Sequence, residues 1–285
     1  MSRNRDRVGG TQNKNVESPP PAAMQGASEG FSFVVPTEFV ELPSEGKYYP
    51  EGHPLRGQDS IEIKQMTAKE EDILTSKTLL KKGVALDRVI QNLIVNKNIN
   101  AANLLIGDRN AIIIAIRKSG YGSEYSTKVT CPSCRVTQEY LFDLDELEIK
   151  NSSDLGDAGI NDNEDGTFDI ELPLTRANVT FRLLTGYDER NFAKAIENDR
   201  KRKLEERNVT RQLKNIVVSV NGDESPTAIQ YLANNIPSMD ARHLRMAHEL
   251  ATPNLDMAHN FECSDCDFEH HMEVPLTADF FWPDR

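Results

Sequence analysis

The feature that most constrains the fold of this 285-residue chain is a pair of Cys-x-x-Cys motifs that lie far apart in the sequence. The first holds Cys131 and Cys134, the second holds Cys263 and Cys266, and the sequence has no other cysteine. Two thiols three positions apart can grip one metal ion but leave two of its four tetrahedral positions open. If both pairs hold the same ion, residues 135–262 must leave the metal and return to it. The sequence therefore predicts a compact insertion whose two ends are neighbours.

The residues around both motifs alternate between apolar and polar, with the period of two that is typical of β-strands. An apolar residue stands two positions before the first cysteine of each pair and two positions after the second, and others follow at six, eight and ten positions. The matching positions are Val129, Val136, Tyr140, Phe142 and Leu144 in the first segment, and Phe261, Phe268, Met272, Val274 and Leu276 in the second. A strand, a knuckle turn and a second strand form the unit of a zinc ribbon. Each cysteine pair is therefore predicted to cap a β-hairpin.

From this pattern we predict one structural Zn²⁺. Its predicted ligands are Cys131, Cys134, Cys263 and Cys266. Four thiolates fill every tetrahedral position and leave none for water, so the site is expected to be structural and not catalytic. Their net charge of about minus two requires backbone N–H groups and cations such as Lys128 and Arg135. Two other interpretations stay open: two thiol turns without metal, and, with less support, a redox motif of the thioredoxin type, since neither pair opens a helix of a βαβ unit.

Charge and hydropathy narrow the classes of function. The formal net charge is −12, and the densest basic run, residues 200–203, is flanked by Glu197, Asp199, Glu205 and Glu206. Nucleic-acid binding requires clustered cations without such compensation, so no nucleic-acid partner is expected. No apolar run is long enough for a membrane span, and the N-terminus lacks the apolar stretch of a secretory signal. We expect a reducing cytoplasm, where paired cysteines bind metal more often than they form disulfides.

The expected fold class is α+β: a helical layer plus zinc-ribbon-like β-hairpins, with an inserted β-hairpin and helical lobe. The predicted segments are a disordered tail (1–30), an extended turn-rich segment (31–60), a helical layer (61–120), a zinc ribbon split between 121–145 and 260–285, and the inserted lobe (146–259). The tail is polar and rich in Gly, Pro and Ser, which prevents it from burying an apolar face. Order is expected to begin near Phe31.

Capping and periodicity place the helices. Thr67 with Glu70 makes a capping box, and Gly83 supplies a stop. Further helices are predicted over 86–95, from the residue after Asp108 to Gly120, and, in the inserted lobe, over 188–206, 212–220, 227–234 and 241–250. Alternation over 168–173 and 179–184 predicts the inserted hairpin. The acidic stretch 151–168 lacks the ordered ligand series of a calcium loop and is expected to be a solvated loop.

The sequence contains no recognisable catalytic motif, so neither enzymatic activity nor a small-molecule substrate is expected. It has no phosphate-binding glycine loop, no Gly-x-Ser-x-Gly elbow and no His-Glu-x-x-His. His243 and His248 are five residues apart, which separates them on a helix. His270 and His271 are adjacent in a predicted strand and point to opposite sides, so at most one could assist a metal; both are interpreted as surface residues.

Three stretches together resemble the T-even-type phage baseplate protein family, which includes hub and hub-assembly components of contractile tails. They are LPSEGKYYPEGHPL at 42–55, VTCPSCRVTQEYLFDL at 129–144 and DFFWP at 279–283. The resemblance covers residues 35–285 in order. It implies a role in the virion or in tail assembly, production in the host cytoplasm, other baseplate or tail proteins as partners, and no enzymatic activity.

Two hypotheses about function follow. The first is a phage baseplate or tail-assembly protein stabilised by zinc, and the second is a zinc-ribbon adaptor that acts with a nucleic-acid-processing machine. The acidic charge counts against the second. Under the first, the aromatic residues at the edges of the folded region are predicted to anchor partners, because interfaces favour aromatic residues. They are Tyr48 and Tyr49, and Phe280, Phe281 and Trp282. The other interpretation is that these rings close the core, and for the tyrosine pair a loop pinned onto the core is the first interpretation and a partner-facing patch the alternative.

Overall fold

The computed structural model describes residues 34–150, 155–205, 207–275 and 278–281. The architecture below belongs to the unit that begins at Val35. Helices and small antiparallel sheets share this unit, so the predicted α+β class is confirmed. The predicted disordered tail lies outside the described residues. No helix in the described ranges is long and apolar enough to cross a membrane.

The first layer combines a short hairpin with four helices. Strand β1 (Thr37–Glu41) pairs antiparallel with β2 (Ser60–Lys64), and the turn-rich segment joins them. The helices that follow are α1 (Ala68–Thr75), α2 (Lys77–Lys81), α3 (Ala85–Leu93) and α4 (Ile106–Tyr121). The capping box at Thr67 is confirmed. These helices supply much of the apolar core.

Two helix boundaries differ from the sequence prediction. The helix expected from Thr67 to Gly83 is interrupted at Ser76, whose backbone is extended. Ser76 lies between two threonines in a Thr-Ser-Lys-Thr run, and such side chains compete for backbone hydrogen bonds and weaken a helix interior. Helix α4 continues through Gly120 and ends at Gly122, where φ is +85°. A positive φ is inexpensive only for glycine, so Gly122 is the better stop.

Both cysteine motifs lie between paired strands. Strand β3 (Glu124–Thr130) pairs antiparallel with β4 (Thr137–Asp143) on either side of the first motif. The chain then passes through β5 (Ile149–Lys150) into the inserted segment. On its return, β11 (Ala258–Glu262) pairs antiparallel with β12 (Glu269–Glu273) around the second motif.

The inserted segment contains a four-stranded antiparallel sheet covered by helices. In chain order its elements are β6 (Ile160–Asp162), β7 (Thr167–Glu171), β8 (Asn178–Arg182), α5 (Gly186–Arg202), α6 (Asn208–Ile216), β9 (Val217–Val220), α7 (Pro226–Asn235) and α8 (Ser238–Ala251). The strands lie in the order β6-β7-β8-β9. Strand β10 (Asn254–Leu255) pairs antiparallel with β5, so the two ends of the insertion are neighbours. Whether this segment is a separate domain stays a prediction.

The predicted helix over 212–220 is wrong in its second half. The chain is helical only to Ile216, and Val217–Val220 form an edge strand beside β8. Three valines in four residues favour a strand. As a strand, this segment also buries Val217 and Ser219, two residues apart, on one face of the sheet. A continued helix would not place both on the same face.

The aromatic residues at the edges of the fold are buried. Tyr48 and Tyr49 are 8% and 1% exposed, and Phe280 and Phe281 are 1% and 5% exposed. All four pack in the apolar core. The interpretation that the tyrosine pair pins a loop onto the core is therefore confirmed, and the prediction that these four side chains anchor partners is wrong. Trp282 lies outside the described residues.

A buried polar cluster explains how the turn-rich segment is held. Asp108, in the first turn of α4, is fully buried and accepts hydrogen bonds from the backbone N–H of Ser44 (2.9 Å), from the Ser44 hydroxyl (2.6 Å) and from the Tyr49 hydroxyl (2.7 Å). The same tyrosine oxygen accepts from the Leu105 N–H at 3.2 Å. The Pro-Ser-x-Gly-Lys-Tyr-Tyr-Pro motif thus fastens the segment to the start of α4.

Candidate metal centre

The two cysteine turns have the same backbone hydrogen bonds. In the first, the N–H of Cys131 donates to the Val136 carbonyl (2.9 Å) and the N–H of Arg135 donates to the Cys131 carbonyl (2.9 Å). In the second, Cys263 donates to Phe268 (3.1 Å) and Asp267 donates to Cys263 (3.0 Å). Equal turns on the ends of two hairpins are what the matching sequence patterns predict.

The residue after each second cysteine has a left-handed backbone. Arg135 has φ +63° and Asp267 has φ +52°. This conformation costs roughly 1–2 kcal/mol for a residue with a side chain and is normally occupied by glycine. Both turns nevertheless adopt it, and in both the N–H of this residue donates to the carbonyl of the first cysteine of the pair.

The fold brings the four thiols together. Cys131 Sγ lies 3.8 Å from Cys266 Sγ, and Cys134 Sγ lies 3.6 Å from Cys263 Sγ, so each close pair joins one hairpin to the other. All four sulfur atoms lie within 4.8 Å of one another. A tetrahedral zinc with bonds of about 2.3 Å places its sulfur ligands about 3.8 Å apart. The two cross-hairpin distances match that value, so the donor set fits the ion.

Side chains of the first hairpin hold the second in place. The Gln138 amide on β4 donates to the Glu262 carbonyl (3.1 Å), and its oxygen accepts from the N–H and the hydroxyl of Ser264, both at 3.0 Å. The Tyr140 hydroxyl donates to the Asn260 carbonyl at 2.8 Å. Sequence reasoning missed Gln138, because its role depends on the register between hairpins. The one local sign of this role is that Gln138 stands four residues after Cys134, on the strand that leaves the first cysteine turn.

An apolar base lies beneath the thiols. Val129 and Phe261, the residues two positions before each motif, are 5% and 0% exposed, and Phe142 is fully buried. By contrast, Val136 and Phe268, two positions after each motif, are 39% and 38% exposed. The alternation therefore predicts burial correctly before each motif but not directly after it. The first cysteine of each pair is buried, whereas Cys266 is exposed. The site is thus anchored on one side and reaches the surface on the other.

The thiols of Cys131 and Cys134 differ widely in pKa. Burial raises the pKa of Cys131, but N–H groups of Cys134 and Ser133 and the neighbouring thiols lower it to about 7. The Val136 N–H lowers the pKa of Cys134, yet burial and the other thiols raise it to about 12. Burial likewise raises the pKa of Cys266. Like charges repel, so a thiolate at Cys131 disfavours ionisation of Cys134. A divalent cation would favour four thiolates.

The remaining sequence candidates are not part of the thiol cluster. His270 and His271 lie on β12 and are exposed, as predicted for surface residues. His243 is partly buried on α8, while His248 is buried, with an unpartnered Nε2 atom. Compensation of thiolate charge by Lys128 and Arg135 stays a prediction.

Comparison with known proteins adds one finding. A protein-family model described as "T4 bacteriophage base plate protein" matches residues 35–282, which is most of the chain. No curated protein and no solved structure gave a match. The matched range includes the turn-rich segment, both cysteine motifs and everything between them.

Proposed function

The chain belongs to the T4 bacteriophage base plate protein family, and from this membership we propose that it is a baseplate hub or tail-assembly protein. Its role is structural: it acts through contacts with other baseplate or tail proteins and catalyses no reaction. The observation that carries the proposal is the family match over residues 35–282. The same membership supports assembly in the host cytoplasm, with other tail proteins as its binding partners.

We further propose that Cys131, Cys134, Cys263 and Cys266 bind one structural zinc ion. Support comes from the sulfur distances, from the identical turns and from the chemistry of a donor set made only of thiols, which zinc favours. Protein ligands would fill all four positions, so the ion would activate no water. Its contribution would be to join two cysteine pairs that are separated by 128 residues, from 135 to 262, in the sequence.

The zinc proposal is tested on protein purified without added chelator. Elemental analysis should give one zinc per chain, and Cys263→Ser should lose most of it. His270→Ala, at an exposed residue of the same hairpin, is the matched control and should keep its zinc. Since zinc binding at such sites is worth on the order of 10 kcal/mol, a chelator should lower the Tm of the wild-type protein markedly. Full metal content in Cys263→Ser would refute the proposal.

The assembly role is tested in infected cells. Mass spectrometry of purified tails, baseplates and assembly intermediates should detect the protein together with other baseplate proteins. Its presence in mature tails would identify a virion component, and its presence only in intermediates would identify an assembly factor. Absence from every tail fraction, combined with salt-dependent DNA binding by the purified protein, would contradict the proposal in favour of the nucleic-acid adaptor.

A further inference from the structure

A groove of about 680 Å³ between α2 and α5 concentrates positive charge. It is lined by Lys77, Thr78, Lys82, Val84, Lys194, Glu197 and Lys201. The four lysines come from two segments more than one hundred residues apart in sequence. Lys201 belongs to the basic run 200–203, but the sequence gives no sign that this lysine lines the same groove as Lys77 and Lys82.

The charge in the groove is mostly uncompensated. Glu197, the one acidic residue of the lining, pairs with Lys201 at 2.6 Å. Within the described residues, Lys77, Lys82 and Lys194 form no ion pair, and all three are exposed. The whole chain has a formal net charge of −12. These unpaired lysines make the electrostatic potential at the groove positive, whereas the net charge of the whole chain is negative.

Buried ion pairs fix the helix that carries half of the lysines. On α5, residues Arg190, Lys194 and Lys201 follow helical spacing and share one face. Arg190 binds Asp87 of α3 at 2.9 Å, and Asp87 also binds Arg109 of α4 at 3.1 Å. Asp87 and Arg109 are largely buried, so this network is little screened by water. It joins α5 to α3, which follows α2 in the chain, and to α4.

We propose that this groove, hereafter the lysine groove, binds an acidic segment of another protein. Its size suits a few side chains of an extended peptide. Aliphatic stems of the lysines and Val84 would contact the peptide chain, while the ammonium groups would face its carboxylates. Charge complementarity of this kind speeds association and selects partners. The identification of that partner as another baseplate protein rests on the proposed function, whereas the binding chemistry does not.

Nucleic acid fits the lysine groove less well. The lining contains no aromatic side chain on which a base could stack and no arginine to grip phosphates in two places. A duplex is also far wider than the groove, so its remaining phosphates would face a surface whose overall charge is negative. A short acidic peptide avoids that repulsion.

The test uses purified full-length protein and a fluorescein-labelled decaglutamate peptide, with binding followed by fluorescence anisotropy. The variant Lys77→Glu/Lys194→Glu reverses two charges in the groove. The control Lys64→Glu/Lys214→Glu reverses two exposed lysines outside it and produces the same net charge. We expect the groove variant to weaken binding at least about tenfold and the control to weaken it less than about threefold, with wild-type affinity falling as salt rises. Thermal melts should show both variants folded.

Each other result overturns the proposal. Equal weakening in the two variants would mean that the peptide senses only net charge. If the wild-type protein does not bind the peptide at low salt, the groove is not a binding site for acidic peptides. Binding of a single-stranded DNA oligonucleotide that depends on Lys77 and Lys194, without peptide binding, would assign the groove to nucleic acid. Because the assay uses isolated protein, its failure leaves the baseplate role to be judged by the tail fractions.

Discussion

The hydroxyl of Tyr49 offers a sharp test of how the turn-rich segment is held. This oxygen donates to the buried Asp108 carboxylate at 2.7 Å and accepts from the Leu105 N–H at 3.2 Å. Tyr49→Phe removes one atom and leaves the ring, which is 1% exposed, free to pack as before. Any loss of stability should therefore come from the two hydrogen bonds.

The expected loss is the sum of two penalties. A hydrogen bond to a charged group contributes about 1.5–3 kcal/mol, and a buried N–H left without a partner costs about 1–3 kcal/mol. We expect Tyr49→Phe to lower the free energy of unfolding by about 3 kcal/mol or more. For a protein of this size that corresponds to a Tm lower by roughly 6–12 °C.

The loss should also depend on pH. Burial raises the pKa of Asp108, while hydrogen bonds from Ser44 and Tyr49 lower it again. Removing the Tyr49 donor should raise that pKa further, because the charged form loses a partner. The stability difference between wild type and variant should then narrow as pH falls and Asp108 takes up its proton in both proteins.

Urea denaturation and thermal melts measure the effect. Tyr231→Phe is the matched control, since the side chain of Tyr231 is 71% exposed and the same atom is removed. The control should stay within about 0.5 kcal/mol of wild type. If Tyr49→Phe lowers the free energy of unfolding as little as the control does, or if its effect does not change with pH, the Asp108 cluster does not hold the segment as described.

Three further predictions concern single residues. Burial lowers the pKa of His248 to about 4, so the contribution of its neutral ring to stability should be complete above about pH 6.5 and should disappear as pH falls toward 4. In thermal melts, the Tm of His248→Leu should therefore change less with pH than the Tm of the wild-type protein, while any zinc loss affects both proteins alike. Gly107→Ala should lower the free energy of unfolding by more than about 2 kcal/mol in urea, because the new Cβ would lie 1.9 Å from the Pro253 carbonyl oxygen. Asp240→Ala should cost about 2–4 kcal/mol by the same measurement, because this fully buried carboxylate accepts two N–H groups and the hydroxyl of Thr175.

Local patterns were enough to predict the parts of the fold that depend on neighbouring residues. The hairpins around Cys131 and Cys263 follow from alternation and from thiol spacing, both of which act within about ten residues. The capping box at Thr67 is likewise a local feature. The α+β class follows from the sum of such elements. Boundaries were less accurate where two local preferences compete, as at Ser76 and at Ile216.

The sequence alone also left open which edge aromatic residues are exposed. Tyr49 and Phe281 stand between turn residues and at the end of the fold, where local context does not decide between core and surface. Burial is a property of what packs against a side chain, and the atoms that surround Tyr49 include Asp108, 59 residues away. Exposure therefore had to be read from the tertiary structure.

The sequence by itself determined four thiols on two strand-turn-strand units and an acidic chain that resembles a baseplate family. Only the tertiary structure decided that Cys131 faces Cys266 and Cys134 faces Cys263, and that Gln138 joins the two turns. It also decided that Lys77 and Lys194 share one groove. The reason is physical: periodicity and spacing constrain the backbone over a few residues, whereas the register between distant segments is set by how their buried faces pack together.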